Sequence, residues 1–324
     1  NRNSPMKNKR IMVTGGAGFI GSHLCEALLK DGWRVFALDC FDPYYPRELK
    51  EQNIAGLVSN DHFSLLEVDI RDENTLQEAL EEIKPPCVVH LAARGGVRPS
   101  LEIPKLYEEI NIRGTLNVLE AARATGVRRF LYASSSSVYG VNDQVPFRED
   151  ETNLRVVSPY AATKVAGEAL CRVYHRLADF DSTVCLRFFT VYGPRQRPDM
   201  AIRMFAGFIH EGKEIPIFGD GTSYRDYTFI SDIIQGIIGA VEKSSGFEII
   251  NLGESKTIKL LDLIELLEQA LGKKALLKHL PPQPGDVPRT FACVGKARKL
   301  LGYDPQVGIE EGINRFAKWF LEQQ

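Results

Sequence analysis

The sequence predicts an α/β fold, in which helices cover both faces of a doubly wound parallel sheet. Two observations support this fold class. Short β-branched segments alternate with helical patterns through the first half of the chain, as they do in βαβ units. In addition, the first of these segments leads into a glycine-rich turn, residues 14–21, within which a helical pattern begins.

The predicted elements follow one another in regular order up to Thr190. Strands are expected at residues 10–13, 34–38, 63–68, 87–91, 129–133 and 183–188, the last clear strand of the series. Helices are expected at residues 18–30, 74–83, 104–124 and 159–178, where apolar side chains recur at helical spacing. Crossover connections of this kind place the strands in one parallel sheet.

After Thr190 this alternation stops. Glycine, proline and arginine are dense in residues 193–198, 219–225 and 281–289, and helical patterns occur at 201–211, 231–241, 260–271 and 309–321. We therefore expect a sheet domain at residues 6–190 and a smaller lobe at residues 191–324, from which some strands or helices return to the sheet. The polar segment ahead of Met6 is left out of this prediction.

The composition is that of an ordinary globular protein. The 324 residues are 44% hydrophobic and 25% charged, which excludes disordered and low-complexity classes. A net charge of −2 predicts no nucleic-acid partner and no membrane-surface partner, and no apolar run reaches the ~18 residues that span a bilayer. The six cysteines and six histidines lack metal-ligand spacing, so we expect reduced thiols, no metal site and a cytoplasmic location.

The glycine-rich turn predicts a dinucleotide-binding site in a Rossmann-type sheet. Gly15 allows the tight turn, Gly18 the close approach of a pyrophosphate and Gly21 the packing of helix on sheet. Phe19 and Ile20 lie at the start of the helix, whose N-terminus would face the anion.

Asp39 indicates which dinucleotide would bind. It follows the second predicted strand, where a carboxylate can bind the hydroxyls of an adenosine ribose and would repel a 2′-phosphate. The predicted cofactor is therefore NAD, although Asp39 could also be a turn or capping residue. Further cofactor contacts are predicted after the next two strands, at Asp69, Ile70, Leu91, Ala92 and Ala93, and at Asn111, which could equally be a packed polar residue.

Catalytic residues are predicted on a helix and on the strand before it. Tyr160 and Lys164 lie at positions i and i+4 and so share one helix face. An ammonium near a phenol favours the phenolate, which would lower the pKa of Tyr160 from ~10 and let it take a proton from a sugar hydroxyl. A run of serines ends the fifth strand, at the edge of the sheet where ligands bind. Ser135 would hold the reacting oxygen, with Ser136 and Ser137 nearby.

Four motifs together resemble the extended short-chain dehydrogenase/reductase family. They are TGGAGFIG, SSSSVYG, YAATK and RFFTVYGP, and the resemblance extends over residues 9–321. It is strongest to nucleotide-sugar 4-epimerases and implies a triad of Ser135, Tyr160 and Lys164, in which Lys164 also holds the nicotinamide ribose. Relatives that dehydrate or decarboxylate the sugar carry an acidic residue where this chain has Ser137, so the resemblance implies simple epimerisation.

The resemblance also implies where a UDP-sugar would bind. Residues 190–201 are most similar to UDP-glucuronate 4-epimerases, in which Thr190 and an arginine, taken here as Arg197, would hold the sugar carboxylate. Arg94 adds positive charge on a neighbouring loop, and arginine forks suit carboxylates and phosphates. Two further segments resemble the nucleotide-binding parts of the family, with Phe218 beside the uracil, Arg225 on the diphosphate, Asp286 on the ribose and Arg289 as a weaker phosphate ligand.

Alternatives to this assignment stay open from the sequence alone. UDP-glucose and UDP-N-acetylglucosamine 4-epimerases share much of the pattern, and a nucleotide-sugar dehydrogenase or reductase would use the same triad for net redox chemistry. A binding protein without activity is a third class, which the intact triad disfavours. The two long helices, residues 104–124 and 159–178, are expected to form a twofold contact in a homodimer, although they could instead face only the core.

Overall fold

A computed structural model describes residues 9–142, 144–282 and 287–324. In this part of the chain the strands are β1 (Arg10–Thr14), β2 (Arg34–Asp39), β3 (Phe63–Glu67), β4 (Cys87–His90), β5 (Arg129–Ser135), β6 (Ser182–Phe188), β7 (Thr190–Tyr192), β8 (Glu214–Phe218), β9 (Tyr224–Arg225), β10 (Tyr227–Phe229), β11 (Gly246–Leu252), β12 (Ile258–Lys259) and β13 (Leu276–Leu280). The α-helices are α1 (Phe19–Lys30), α2 (Arg47–Ile54), α3 (Glu73–Ile83), α4 (Val97–Glu102), α5 (Pro104–Glu108), α6 (Thr115–Ala124), α7 (Pro159–Leu177), α8 (Ala201–Glu211), α9 (Ile230–Lys243), α10 (Leu260–Leu271), α11 (Gly295–Leu301) and α12 (Ile309–Glu322).

Seven parallel strands form the central sheet, in the order β11-β6-β5-β4-β1-β2-β3. Along β1 the side chains alternate between two cores. Ile11 and Val13 belong to the core on one face, and Met12 belongs to the core on the other. All three are fully buried, as expected where helices cover both faces of a parallel sheet. The predicted fold class is confirmed.

The second half of the chain contributes the last strand of this sheet. β11 pairs with β6 along its whole length, from Gly246 beside Ser182 to Leu252 beside Phe188. The prediction that residues 183–188 form the last clear strand therefore missed β11. The other strands of this half form two-stranded pairs, β10 with β7, β12 with β9 and β13 with β8. None of the helices in the described ranges combines the length and apolar character needed to cross a membrane.

The predicted helix at residues 104–124 is interrupted. A π-helical turn, Glu109–Gly114, lies between α5 and α6. Such turns are rare and often occur at functional sites. This one carries Asn111, whose side chain contacts the loop after β4. A pattern of apolar residues cannot distinguish a single π-helical turn from a regular helix, so this turn was not predictable from the sequence.

Candidate active site

Most of the predicted site residues meet in one cavity of about 500 Å³, at the carboxyl edge of the central sheet. Strands β1, β2, β4 and β5 end beside it. The predicted residues that line it are Gly15, Gly18, Phe19, Ile20, Gly21, Asp39, Asp69, Ile70, Leu91, Ala92, Ala93, Arg94, Ser135, Ser136, Ser137, Tyr160, Lys164, Thr190 and Arg197.

The glycine turn packs main chain against main chain. A Cβ on Gly15, whose φ is +70°, would lie 2.9 Å from the nitrogen of Ala92, and a Cβ on Gly21 would lie 2.0 Å from the oxygen of Gly15. Neither position accepts a side chain without moving backbone. Helix α1 begins at Phe19, and Gly18 at its N-cap provides no capping side chain. The helix N-terminus, which carries partial positive charge, therefore borders the cavity without a side-chain cap.

Asp39 is a buried carboxylate with three donors. Its Oδ1 accepts hydrogen bonds from Lys50 Nζ and from the nitrogen of Phe41, both at 2.9 Å, and its Oδ2 accepts from the nitrogen of Ala17 at 3.2 Å. Lys50 is itself buried and lines the cavity. Lys50 is not predictable from the sequence, because nothing in the pattern of α2 shows that its side chain turns towards the end of β2.

Asn111 supports the site from outside the cavity lining. Its Oδ1 accepts from the nitrogen of Arg94 at 2.8 Å, and its Nδ2 donates to the oxygen of Arg94 and to Thr163 Oγ1, both at 3.0 Å. These bonds fix the loop after β4 to helix α7. Asp69, by contrast, lines the cavity but is paired with Arg71 at 2.6 Å.

The three predicted catalytic residues come from β5 and α7. Ser135 Oγ donates to Ser137 Oγ at 3.1 Å and accepts from the nitrogen of Ser137 at 3.1 Å. Its side chain lowers the pKa of Tyr160. Helix α7 is capped by Ser158, so Tyr160 lies in its first turn and Lys164 one turn later. Lys164 Nζ donates to the oxygen of Ala133 at 2.7 Å and lies 5.9 Å from the centre of the Tyr160 ring.

Burial dominates the protonation of these groups. It raises the pKa of Tyr160 above its ordinary value, against the hydrogen bond from Ser135 and the positive charge of Arg197, which both lower it. Burial also lowers the pKa of Lys164 to about 8. The prediction that Lys164 lowers the pKa of Tyr160 is wrong for the chain as described, because the ammonium is directed at a main-chain carbonyl rather than at the phenol oxygen.

Two arginines line the cavity, each beside a carboxylate. Arg197 donates from Nε and Nη2 to Asp199 at 2.9 Å, and Arg94 Nη1 lies 2.9 Å from Asp42 Oδ1. The guanidinium carbons of Arg94 and Arg197 lie 4.5 and 5.3 Å from the centre of the Tyr44 ring. The cavity is also lined by Asp42, Tyr44 and Asp199, none of which was predicted from the sequence. Asp42 and Tyr44 come from the loop after β2, which is far from Arg197 in the chain.

The loop after β7 has two arginines with different surroundings. Arg197 lines the cavity, whereas Arg195 pairs with Glu26 of helix α1 at 2.8 Å. Next to this pair, Nε2 of His23 in α1 lies 2.9 Å from the main-chain oxygen of Pro194. The loop that carries Arg197 is thus fixed to the helix that begins at the glycine turn.

Of the residues assigned to a nucleotide, Phe218, Arg225 and Arg289 lie outside this cavity lining. Phe218 contacts Arg98, whose guanidinium is 4.5 Å from the centre of its ring, and Arg289 lies 5.1 Å from the ring of Tyr224. Arg225 Nη1 donates to the oxygen of Tyr224. Their binding to a nucleotide stays a prediction. Asp286 lies outside the described residues.

A metal centre has no support in the described ranges, where no group of three or more His, Cys, Asp or Glu side chains is arranged to hold an ion. The fold and the site therefore define a dinucleotide-binding α/β protein with a serine, tyrosine and lysine in its cavity.

Comparisons with known proteins identify the family. Residues 11–253 match the model of the NAD dependent epimerase/dehydratase family. The chain is 44% identical over 312 residues to UDP-glucuronate 4-epimerase of Thermodesulfobacterium geofontis, covering 96% of each. It matches the crystal structure of UDP-glucuronic acid 4-epimerase from Bacillus cereus in complex with UDP-glucuronic acid and NAD with a TM-score of 0.91 and 40% identity, over 97% of this chain and 100% of that one. It also matches the crystal structure of UDP-glucose 4-epimerase from Thermotoga maritima with a TM-score of 0.88 and 32% identity, over 97% of this chain and 99% of that one. The chain belongs to the NAD-dependent epimerase/dehydratase family.

Proposed function

We propose that this protein is a NAD-dependent UDP-glucuronate 4-epimerase, which inverts C4 of the sugar through a transient 4-keto intermediate and yields UDP-galacturonate. One observation carries the proposal. The same cavity that receives the glycine turn also contains Ser135, Tyr160 and Lys164, with Arg197 beside them. The similarity to the UDP-glucuronate 4-epimerases of Thermodesulfobacterium geofontis and Bacillus cereus supports the choice of the carboxylated sugar.

The residues present fit NAD. The glycine turn excludes side chains where a pyrophosphate must approach the main chain, and the start of α1 offers main-chain donors to that anion. Asp39 is held as a buried carboxylate at the end of β2, as a ribose ligand would be. When bound, NAD would supply the hydride transfer from C4 of the sugar and back to its opposite face.

Tyr160 is the general base and acid of the proposed reaction. In its phenolate form Tyr160 takes the proton of the C4 hydroxyl, and the phenol formed in this way later gives that proton back. Ser135 lines the same cavity and would hold the reacting oxygen. Lys164 adds a positive charge below its pKa of about 8 and would bind the nicotinamide ribose.

A 4-keto uronic acid is a β-keto acid and loses carbon dioxide when its carboxylate lies out of the ring plane, because the breaking bond then aligns with the ketone. The enzyme must therefore hold the carboxylate in the plane. Arg197 and Thr190 would do so, with Arg94 and the hydroxyls of Ser136 and Ser137 nearby. Phe218, Arg225, Asp286 and Arg289 remain the proposed contacts of the nucleotide.

The proposal is tested by incubating the protein with UDP-glucuronate and no added NAD. We expect UDP-galacturonate to form without net change in nicotinamide absorbance. Tyr160→Phe should lower the rate by at least about 100-fold while calorimetry shows that UDP-glucuronate still binds. Conversion of UDP-glucose alone, net reduction of NAD, or undiminished activity of Tyr160→Phe would contradict the proposal.

We also propose a homodimer and a cytoplasmic location. Val173 and Leu177 lie one turn apart on α7 and are 53% and 60% exposed, which supports an interface on that helix. Size-exclusion chromatography with light scattering should give twice the chain mass, and Val173→Asp should reduce it to the monomer value. The six cysteines are all free thiols, which supports a reducing compartment.

A further inference from the structure

Asp199, Tyr44 and Gly95 surround Arg197 at one end of the cavity that they all line. Arg197 donates from Nε to Asp199 Oδ1 and from Nη2 to Asp199 Oδ2, each at 2.9 Å. The Tyr44 hydroxyl donates to the same Oδ2 at 3.0 Å. These three neighbours have no role in the proton transfers described above.

We propose that Asp199, Tyr44 and Gly95 are positioning residues that direct Arg197 at the carboxylate of the sugar, and that they thereby keep the reaction on the path of epimerisation rather than decarboxylation. This inference rests on the proposed function, because it requires a carboxylated substrate.

The shape of the guanidinium group explains the role of Asp199. A guanidinium can bind one carboxylate along its Nε edge and another at its terminal nitrogens. The hydrogen bonds described for Arg197 use Nε and Nη2, so Nη1 remains for the substrate. Asp199 fixes the rotation of the fork, and Tyr44 in turn fixes Asp199.

Because Gly95 has no side chain, it leaves room for Nη1 of Arg197. A Cβ on Gly95 would lie 2.6 Å from Nη1 of Arg197, closer than two such atoms can approach. The Tyr107 hydroxyl donates to the oxygen of Gly95 at 2.6 Å, so this loop does not withdraw easily. Any side chain at this position would displace the tip of Arg197 instead.

Tyr44 also contacts both cations of the cluster. The guanidinium carbons of Arg94 and Arg197 lie 4.5 and 5.3 Å from its ring centre, within the range of cation–π contacts. Burial and the charge of Asp199 raise the pKa of Tyr44. Its hydroxyl therefore remains a donor to Asp199 at any pH where the enzyme works.

The charges of the cluster cancel. Arg94 pairs with Asp42 and Arg197 with Asp199, so two positive and two negative groups meet an incoming carboxylate. The long-range attraction for that carboxylate is largely neutralised. Its recognition must then depend on directed hydrogen bonds, which are sensitive to the orientation of Arg197.

The first test compares Asp199→Asn and Tyr44→Phe with wild type on UDP-glucuronate. Asp199→Asn loosens the orientation of Arg197, which weakens substrate binding, but it also removes the repulsion between Asp199 and the substrate carboxylate. Because these two effects oppose each other, the KM should stay within about threefold of the wild-type value. The kcat of epimerisation should fall at least about tenfold, and the decarboxylated share of product should rise at least about tenfold. Tyr44→Phe keeps the ring and should act in the same direction more weakly. Arg197→Met is the positive control.

Gly95→Ala tests the same inference without changing any charge. We expect a rise in decarboxylated product, since the added methyl group moves Nη1. The matched control is Gly207→Ala on α8, where a Cβ meets nothing within 4 Å, and its product ratio should equal that of wild type. Calorimetry with UDP-glucose, which has no carboxylate, should give the wild-type Kd within about twofold for every variant.

The outcomes separate the two proposals. If wild type converts UDP-glucuronate but Asp199→Asn and Gly95→Ala keep its product ratio, the inference is overturned. If these variants lose UDP-glucose binding as much as epimerisation, their role is structural and the inference is also overturned. If wild type does not epimerise UDP-glucuronate at all, the proposed function fails instead.

Discussion

Partly buried His23 shows how its surroundings set the charge of a single residue. Burial lowers its pKa from 6.5 to about 4, aided by the charge of Arg195 and opposed by the bond to the Pro194 oxygen and by Glu26. Its Nε2 contact with that oxygen joins α1 to the loop of Arg197. The neutral ring is therefore part of the folded state.

We predict that acid weakens the fold through this residue. The unfolded chain binds a proton at His23 below about pH 6.5, but the folded chain binds it only near pH 4. The contribution of neutral His23 to the free energy of unfolding is therefore complete above pH 6.5. It is lost as the pH falls towards 4, at up to about 1.4 kcal/mol per pH unit. His23→Gln, measured by urea unfolding from pH 7 to 4.5, should lose less stability than wild type.

Exposed His62 provides the control for that experiment. His62→Gln should follow the wild-type curve across the same pH range. A His23→Gln curve parallel to that of wild type would show that His23 does not titrate in this way.

At the scale of elements, helix α7 serves the site and the core together. Tyr160 and Lys164 lie on its cavity side, and Glu168, one turn further, accepts two hydrogen bonds at 2.8 Å from Arg187 of β6. Ser134 of β5 also donates to Glu168 at 2.6 Å. This buried pair fixes the helix across two strands and so determines where the catalytic side chains point.

We predict that Glu168→Gln destabilises the protein strongly. It leaves the Arg187 guanidinium buried without its counter-charge, which costs about 3–5 kcal/mol in comparable cases. The matched control is Glu67→Gln, since Arg47 and Glu67 form a pair with the same two 2.8 Å bonds but are about half exposed. Solvent-exposed pairs contribute little, so urea unfolding should be nearly unchanged for the control. Equal effects of both substitutions would refute this assignment.

At the scale of the whole molecule, the two halves of the chain share one sheet. β11 covers the outer edge of β6, every residue of which is buried. We predict that residues 6–190 alone do not fold into a stable monomer, because the edge of β6 would be exposed to other chains. Size-exclusion chromatography of that fragment should show aggregates or an expanded chain. A compact fragment with a cooperative unfolding transition would contradict this prediction.

The sequence determined the features that depend on neighbouring residues. The glycine turn, the acid at the end of β2 and the i, i+4 pair on α7 are local patterns, and local patterns carry their own geometry. Predicted helices at residues 201–211 and 260–271 agree with α8 and α10 at both ends, because their apolar spacing and terminal glycines are also local.

Only the tertiary structure decided the contacts between segments far apart in the chain. Lys50 beside Asp39, and Tyr44 beside Asp199, depend on how loops meet over the sheet. The pKa of Tyr160 likewise depends on burial and on Arg197, not on the lysine next to it in the helix. The physical reason is that solvent exclusion and directed hydrogen bonds arise from the packed arrangement, whereas backbone conformation is largely set by nearby residues.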